Sequence, residues 1–276
     1  MPDIHSFHHA AMATHFQVRI AHDDRAYAAQ AAQAAFDLVD SLESCLSRFR
    51  TNSDIARAAH LAPGEQMRLS EPAFACLALA QQLQAGTHSA FCPTPAALKT
   101  QPALPQWQLL PDGHSLLCIS GRLDFDLGAI GKGFALDRVA ALLREWDCPS
   151  FLLVAGGSSI LAGDPPPAAP GWSCGLGDDN ASQRFLLAHA SLSGSGLAVK
   201  GEHILDPRTG RPATRQTRAW VLADTAAESD ALSTASMVLS EPELSDVLAQ
   251  NHSWLAFLES EQGARSLGKR SLPTPA

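Results

Sequence analysis

The chain has 276 residues, of which 46% are hydrophobic and 17% are charged, and its formal charge is −8 at pH 7. This length fits one large globular unit or two modest ones, and the composition supplies enough apolar residues for a buried core. The acidic balance argues against nucleic acid as the main partner, because phosphate binding requires a basic surface. No apolar run in the sequence approaches the roughly 20 residues that a membrane-spanning helix requires.

The N-terminal segment and the cysteine spacing predict the compartment. Residues 1–13 contain three histidines and an acid but neither Lys nor Arg, and they lack an apolar run, so neither a signal peptide nor a lipoprotein lipobox is predicted. The six cysteines lie at least 16 residues apart without a CxxC pair. This spacing is typical of reduced thiols rather than of a zinc site or a disulfide framework. We expect a cytoplasmic protein without a membrane span.

The first half of the chain shows one strand-like pattern and three helical patterns. Alternating polar and apolar residues are typical of a half-buried strand, whereas apolar residues three or four positions apart are typical of an amphipathic helix. Asp23 or Asp24 can cap the first helix, and Ser70 with Pro72 marks the start of the second. The predicted elements are a strand at 15–20 and helices at 24–46, 70–86 and 133–146.

Shorter apolar runs separated by Gly, Pro and Asp dominate the second half, and they predict strands and turns. Ser240 and Glu243 form a capping-box pair that marks the start of a short helix. The predicted strands are 151–155, 160–161, 172–176, 185–187, 217–223 and 253–258, and the predicted helices are 227–239 and 240–250. We expect an α+β protein, built as a single unit of one or two lobes over residues 1–276, with a mobile tail over about 266–276.

A glycine-rich segment, Asp-Leu-Gly-Ala-Ile-Gly-Lys-Gly at 126–133, leads directly into the third predicted helix. Glycines before a helix allow backbone amides to approach an anion, and the helix N-terminus favours negative charge. Lys132 stands where it could meet a phosphate. The segment does not satisfy the Walker A pattern, and considered alone it is more often a tight turn.

A second segment, His-Ile-Leu-Asp-Pro-Arg-Thr-Gly at 203–210, combines a histidine with a strong turn sequence. Turn formation alone accounts for Asp-Pro-Arg-Thr-Gly. His203 could serve as a general base or acid, because the pKa of an unperturbed histidine lies near neutrality.

A third segment places Asp230 and Thr234 four residues apart in a predicted helix, so that they share one face. A carboxylate and a hydroxyl could ligate one hard cation such as Mg²⁺, which completes its shell with water and substrate phosphates. The alternative is that Asp230 is an exposed carboxylate near a helix start, placed there by the helix dipole.

Together, these segments resemble the diagnostic motifs of the ApbE family, the FAD:protein FMN transferases. The resemblance follows the chain in order and covers nearly all of it. Its matching segments are Met-Ala-Thr at 12–14, Leu-Ser-Arg-Phe at 46–49, Ser-Asp-Ile at 53–55, Ala-Phe-Cys-Pro-Thr at 90–94, the glycine-rich run at 126–133, Ala-Gly-Gly at 155–157, and the segments at 203–210 and 230–234.

Four positions depart from the family pattern. Ala13 replaces a glycine, Cys92 replaces an aspartate and Ala59 falls where an asparagine is common. Leu192 stands at the first position of a usual Thr-Ser-Gly triplet. The metal-binding and histidine segments are intact, so the departures concern the flavin-binding block and the choice of substrate.

The resemblance implies an ApbE-like, T-fold-like architecture of helices and antiparallel sheet, with the flavin site in a cleft. It also implies a Mg²⁺-dependent transferase that moves the FMN half of FAD onto a Thr or Ser hydroxyl of an acceptor flavoprotein and releases AMP. By this resemblance His203 is the catalytic base, and Asp230, Thr234 and the backbone carbonyl of Ala129 hold the metal. The residues that would contact FAD are Met12, Phe49, Ala90, Phe91, Cys92, Asp126, Lys132 and Ile204.

Two other functions remain open at the level of sequence. One is a pyrophosphatase that hydrolyses FAD to FMN and AMP, with water in place of the acceptor hydroxyl. The other is a flavin-binding protein without catalytic activity, which the cysteine at position 92 and the altered Thr-Ser-Gly triplet suggest.

Overall fold

The computed structural model describes residues 2–175, 184–197, 204–271 and 275. Within these ranges the chain forms seven helices and fifteen strands. The helices are α1 (Arg25–Leu46), α2 (Asp54–Ala58), α3 (Glu71–Gly86), α4 (Ala97–Thr100), α5 (Gly131–Glu145), α6 (Ala226–Val238) and α7 (Glu241–Ala249). The strands are β1 (Asp3–Ala11), β2 (Thr14–His22), β3 (Gln66–Arg68), β4 (Gln106–Leu110), β5 (Ser115–Ser120), β6 (Phe151–Ala155), β7 (Ser159–Ala162), β8 (Trp172–Gly175), β9 (Arg184–Leu187), β10 (Ala190–Gly196), β11 (Leu205–Asp206), β12 (Arg211–Pro212), β13 (Arg218–Ala223), β14 (Leu255–Ser260) and β15 (Gly263–Gly268).

An antiparallel sheet of eight strands forms the centre of the described structure, in the order β1-β2-β6-β7-β10-β13-β14-β15. In its middle, Ser193 of β10 pairs with Ser159 of β7 on one side and with Val221 of β13 on the other. A smaller sheet has the order β3-β5-β4, and β8-β9 and β11-β12 form two-stranded ribbons. The mixed helical and antiparallel-sheet architecture predicted from the sequence is therefore confirmed.

The two faces of the large sheet are covered differently. Successive side chains of a strand point to opposite faces, and Leu153 of β6 joins the main core with α1, α5 and α6, whereas Leu152 joins a second core. That second core lies under the β8–β9 ribbon, which contributes Trp172 and Phe185. The helices thus cover one face and the ribbon covers the other.

One end of the sheet carries two tight turns side by side. Between β1 and β2, Met12 and Ala13 adopt φ of 50° and 55°, and between β6 and β7, Gly156 and Gly157 adopt φ of 63° and 67°. A Cβ at Gly156 would stand 2.6 Å from Thr14 Oγ1, so glycine allows the two turns to approach closely. β10 ends and β13 begins at the same end of the sheet, because Gly196 pairs with Arg218.

Most predicted elements are confirmed, and α5 begins at Gly131, two residues before its predicted start. The predicted strand at 172–176 is confirmed to Gly175, and residue 176 lies outside the described residues. The sequence analysis did not predict β1 or the small sheet. β15 includes residues 266–268, which corrects the predicted start of the tail, because these residues pair with β14. None of the helices in the described ranges is both long and apolar enough to cross a lipid bilayer.

Candidate functional site

Asp230 lies in the second turn of α6, which Thr225 caps, and α6 packs against both α5 and the large sheet. The residue is 3% exposed. The alternative of an exposed carboxylate near a helix start is therefore wrong, because α5 and β7 cover this face of α6. A carboxylate so deeply buried requires hydrogen-bond partners or a cation.

Both carboxylate oxygens of Asp230 have partners on other elements. The Ser159 hydroxyl donates to Oδ1 at 2.6 Å, and the backbone N–H of Gly133 donates to Oδ2 at 3.0 Å. The Lys132 ammonium lies 3.3 Å from Oδ2, and it also donates to the Gly128 carbonyl at 3.3 Å. The glycine-rich segment and the aspartate of α6 are thus in direct contact, as the resemblance implies.

Thr234 lies one turn further along α6, at the end of β10. Its hydroxyl is 3.1 Å from Ser195 Oγ and 3.4 Å from the backbone carbonyl of Asp230. Ser195 also contacts Ser233 at 2.9 Å, so a serine of the sheet fixes the rotamers of two α6 hydroxyls. Thr234 and Asp230 therefore belong to one polar region between α6 and the sheet.

Asp126 connects the glycine-rich segment with two other predicted parts of the site. Its Oδ1 accepts from the Gly128 N–H at 2.9 Å, which shapes the loop that contains the half-buried Ala129. Its backbone N–H donates to the Pro93 carbonyl at 2.7 Å, and its Oδ2 lies 3.4 Å from Arg48 Nη1. The segments at 46–49, 90–94 and 126–133 are therefore adjacent.

The side chains of Ala90 and Phe91 belong to the main core, so contact between them and a ligand would have to use the backbone. Cys92 is also buried, and its Sγ lies 3.3 Å from the Thr94 hydroxyl. Burial raises the pKa of the Cys92 thiol above its usual value, although hydrogen bonds from Thr94 partly oppose this. A neutral thiol therefore occupies the position where the family pattern has an aspartate.

Three further apolar residues that were predicted to contact FAD differ in accessibility. Phe49 is 78% exposed, and the Arg48 guanidinium lies 4.7 Å from the centre of its ring. Met12 is half-buried in the left-handed turn, and its neighbour Ala13 lines an open depression of the surface together with His15 and Glu43. Ile204 is buried in the main core, and its carbonyl accepts from the Ala213 N–H at 2.8 Å.

His203, the predicted catalytic base, lies outside the described residues. The turn that follows it is firmly held: Arg208 Nε and Nη2 contact both carboxylate oxygens of Asp206 at 2.9 and 3.0 Å. Arg208 Nη1 also donates to Glu243 Oε1 at 2.7 Å, which joins the turn to the start of α7. Hydrogen bonds from Ser240 lower the pKa of Glu243 to about 2, so this carboxylate is charged.

Three polar residues that position the site were not predicted. Ser159 and Ser195 are serines in strands without a motif of their own, and only the packing of α6 on the sheet brings them to Asp230 and Thr234. Asp137 follows Lys132 by five residues in α5 and contacts the start of α6. Asp137 is half-buried, and its position inside the predicted helix did not show that it contacts α6.

Asp230, Thr234 and the backbone carbonyl of Ala129 are the predicted metal ligands. Among the described residues, no group of three or more His, Cys, Asp or Glu side chains is arranged to hold a metal ion. One carboxylate, one hydroxyl and a nearby backbone carbonyl are nevertheless the ligand types that Mg²⁺ takes when water and phosphates complete its shell. The Lys132 ammonium lies 3.3 Å from both Asp230 Oδ2 and the Gly128 carbonyl oxygen, so these oxygens already have a cationic partner.

Comparison with solved structures supports the fold. The flavin transferase ApbE from Vibrio cholerae matches with a TM-score of 0.82 at 18% identity, covering 96% of this chain and 97% of that chain. The ApbE protein from Thermotoga maritima matches with a TM-score of 0.81 at 20% identity, with the same coverage. At these identities the likeness establishes the fold alone.

Comparison of sequences gives the family. An FAD:protein FMN transferase from Klebsiella pneumoniae is 24% identical over 271 residues, which cover 84% of this chain and 76% of that protein. The Escherichia coli K12 protein of the same name is 26% identical over 152 residues, covering 50% of this chain and 43% of that protein. The ApbE family profile matches residues 12–258, most of the chain. The chain therefore belongs to the ApbE family.

Proposed function

We propose that the protein is a Mg²⁺-dependent transferase that moves the FMN half of FAD onto a Thr or Ser hydroxyl of an acceptor protein and releases AMP. Family membership and the names of the relatives support the reaction class. The observation that carries the proposal is the contact between Lys132 and Asp230, which brings together two segments 98 residues apart that the proposal assigns to phosphate and metal binding.

In this proposal Asp230, Thr234 and the Ala129 carbonyl would hold the metal ion. The ion would supply charge neutralisation for the diphosphate of FAD. Lys132 would bind a phosphate oxygen, since its ammonium is partly exposed and already lies beside the loop at 128–131. Ser159 and the Gly133 N–H hold the Asp230 carboxylate in place.

The transfer step joins the acceptor hydroxyl oxygen to the phosphorus of the FMN half. The bond between that phosphorus and the bridging oxygen breaks, and AMP leaves with this oxygen. His203 would take the proton from the hydroxyl, which a group with a pKa near neutrality can do at physiological pH. The turn fixed by Arg208 begins two residues after His203.

The exposed ring of Phe49 and the thioether of Met12 offer apolar, polarisable surface for the flat isoalloxazine. Asp126 ties the loop of the glycine-rich segment to Arg48, the neighbour of Phe49. In this proposal Asp126 therefore sets the distance between the ring-binding surface and the diphosphate-binding region.

The test incubates the protein with FAD and Mg²⁺, with and without an acceptor protein modified by one of the flavin transferase relatives. We expect AMP and flavin-labelled acceptor in equal amounts, measured by chromatography and in-gel fluorescence. Asp230→Asn should lower the rate at least about tenfold, because it removes a charged ligand. Asp40→Asn, which alters a surface acid paired with His9, is the matched control and should leave the rate unchanged.

Each contrary result has its own meaning. AMP release without acceptor labelling would replace transfer with hydrolysis of FAD. Tightly bound flavin without AMP release would identify a flavin-binding protein. Full turnover in excess chelator would contradict the metal assignment.

A further inference from the structure

A carboxylate on each of the helices α5 and α6 accepts hydrogen bonds from backbone N–H groups at the N-terminus of the other helix. Asp230 of α6 accepts from the Gly133 N–H in the first turn of α5 at 3.0 Å. In return, Asp137 of α5 accepts from the first two N–H groups of α6: Oδ1 from Ala226 at 2.7 Å and Oδ2 from Ala227 at 2.9 Å. Each helix therefore satisfies backbone donors that the other leaves without an intrahelical partner.

In α5, the hydrogen bond from the Gly133 N–H to Asp230 takes the place of an ordinary side-chain cap. Its N-cap residue is Ile130, which within the described residues makes no side-chain cap hydrogen bond, and its first turn holds no acid of its own. A negative charge near a helix N-terminus is favourable, and for α5 that charge comes from Asp230. The carboxylate proposed to bind the metal is thus also the cap of the neighbouring helix.

The two helices touch through their backbones. A Cβ at Gly133 would stand only 2.1 Å from the Ala226 carbonyl oxygen and 2.7 Å from the Ala227 nitrogen. Gly133 of α5 contacts Asp230 of α6. One turn later in α5, Asp137 contacts Ala226, which lies one turn earlier in α6, so the two helices run in opposite directions at this contact. Such a contact leaves little freedom for either helix to slide.

The proposed metal ligands are divided between these two elements. Ala129 lies directly before α5, whereas Asp230 and Thr234 lie on α6. The separation between the Ala129 carbonyl and the two side chains therefore depends on how α5 and α6 are held together. Asp137 lies one turn, or about 6 Å along the helix axis, from Gly133, so it holds the contact at a second point.

We infer that Asp137 is a positioning residue, whose carboxylate holds the N-terminus of α6 against α5 and thereby sets the spacing of Ala129, Asp230 and Thr234. The inference rests on the proposed function, because it assigns these three residues to one divalent cation.

The surroundings of Asp137 agree with a positioning role. The pKa of Asp137 is raised to about 6, because burial and the charges of Glu228 and Asp230 raise it by more than the Ala226 and Ala227 N–H groups lower it. Burial therefore works against the ionised carboxylate, whereas the two N–H groups of α6 favour it.

The test measures Mn²⁺ binding to the purified full chain without FAD, by the paramagnetic resonance signal of free Mn²⁺. Asp137→Asn keeps one acceptor for α6 and loses the other, and we expect it to weaken Mn²⁺ binding about tenfold. The matched control is Asp24→Asn, because Asp24 also accepts from two first-turn amides, at 2.7 and 3.2 Å, but caps its own helix α1. The control should bind Mn²⁺ as the wild type does, and thermal unfolding should show that both variants are folded.

The possible failures are distinguishable. Wild-type affinity in folded Asp137→Asn overturns the inference and leaves the proposed function intact. Absence of wild-type Mn²⁺ binding, or binding that Asp230→Asn does not weaken, contradicts the proposed metal site and the inference together. Should Asp137→Asn fail to fold, Asp137→Glu keeps the charge but displaces the oxygens, and undiminished Mn²⁺ affinity in that variant likewise overturns the inference.

Discussion

The contact between α5 and α6 and the surface around Phe49 differ in almost every physical respect. The helix contact is buried and polar, with backbone touching backbone at Gly133 and each carboxylate of Asp230 and Asp137 held by fixed donors. The other surface presents an aromatic ring that is 78% exposed, with one cation–π neighbour. The helix contact is ordered without a ligand, whereas the surface around Phe49 is exposed and could be covered by one.

Under the proposed function, the two regions have different roles: the helix contact positions the groups that act on the diphosphate, and the surface around Phe49 contacts the flavin ring. Groups that act on a diphosphate gain most from fixed positions in a site shielded from water. Contact with a flat ring requires apolar area rather than fixed dipoles, so an exposed Phe49 is compatible with that role. We therefore expect substitutions in the helix contact to have large effects on stability and metal binding, and substitutions at the β1–β2 turn, outside that contact, to have small ones.

The largest effect is expected from Gly133→Ala. The added Cβ would stand 2.1 Å from the Ala226 carbonyl oxygen, and a backbone atom cannot move aside as a flexible side chain could. The helices must separate, and we expect a loss of about 3 kcal/mol or more in the free energy of unfolding, measured in urea, together with loss of Mn²⁺ binding.

Gly131→Ala is the matched control for this change, since it makes the same substitution two residues earlier in the same helix. The nearest atom to its Cβ would be Leu127 Cβ at 3.8 Å, an ordinary contact. Alanine there should leave stability unchanged or raise it by up to about 1 kcal/mol. Equal effects of the two substitutions would show that close helix contact is not the cause.

An intermediate effect is expected from Lys132→Met, which keeps much of the side-chain length and removes the charge. The ammonium lies 3.3 Å from Asp230 Oδ2, where a metal ion would compete with it. Without FAD, the variant should bind Mn²⁺ about fivefold more tightly, which corresponds to ~1 kcal/mol for loss of a partly exposed ion pair.

AMP release from FAD by Lys132→Met should nevertheless fall, because the phosphate loses a positive partner. Lys99→Met, in α4, is the control and should change neither quantity. Weaker Mn²⁺ binding in Lys132→Met would mean that the lysine supports the metal site rather than competing for it.

Much of the fold was predictable because local signals and tertiary packing agree. Asp24 caps α1, Ser70 caps α3 and the capping box of Ser240 begins α7, as the sequence indicated. β1 was missed, although the strand pairs along its whole length with β2. A strand at the edge of a sheet buries little, so its sequence pattern is weak.

The segments that form the site could be predicted from the sequence, but the contacts between them could not. The motifs identified Lys132 and Asp230, which the structure places in contact. They gave no indication of Ser159, Ser195 or Asp137, because the partners of these residues lie 39 to 90 positions away in sequence, and only the fold brings them together. Burial of Asp230 was also missed, since helical periodicity does not show how many elements pack on a helix.

The smallest effect is expected at the turn between β1 and β2, where Ala13→Gly should stabilise the protein. Ala13 adopts φ of 55°, a left-handed conformation that costs a residue with a Cβ about 1 kcal/mol and glycine almost nothing. Urea unfolding should therefore show a gain of about 1 kcal/mol, whereas the control Ala10→Gly, in the regular strand β1, should lose about 0.5–1 kcal/mol. Because the backbone strain belongs to the turn, Mn²⁺ affinity should stay the same in both variants. Altered affinity in Ala13→Gly would show that the turn and the α5–α6 contact are coupled, and that the division between fixed and open regions does not hold.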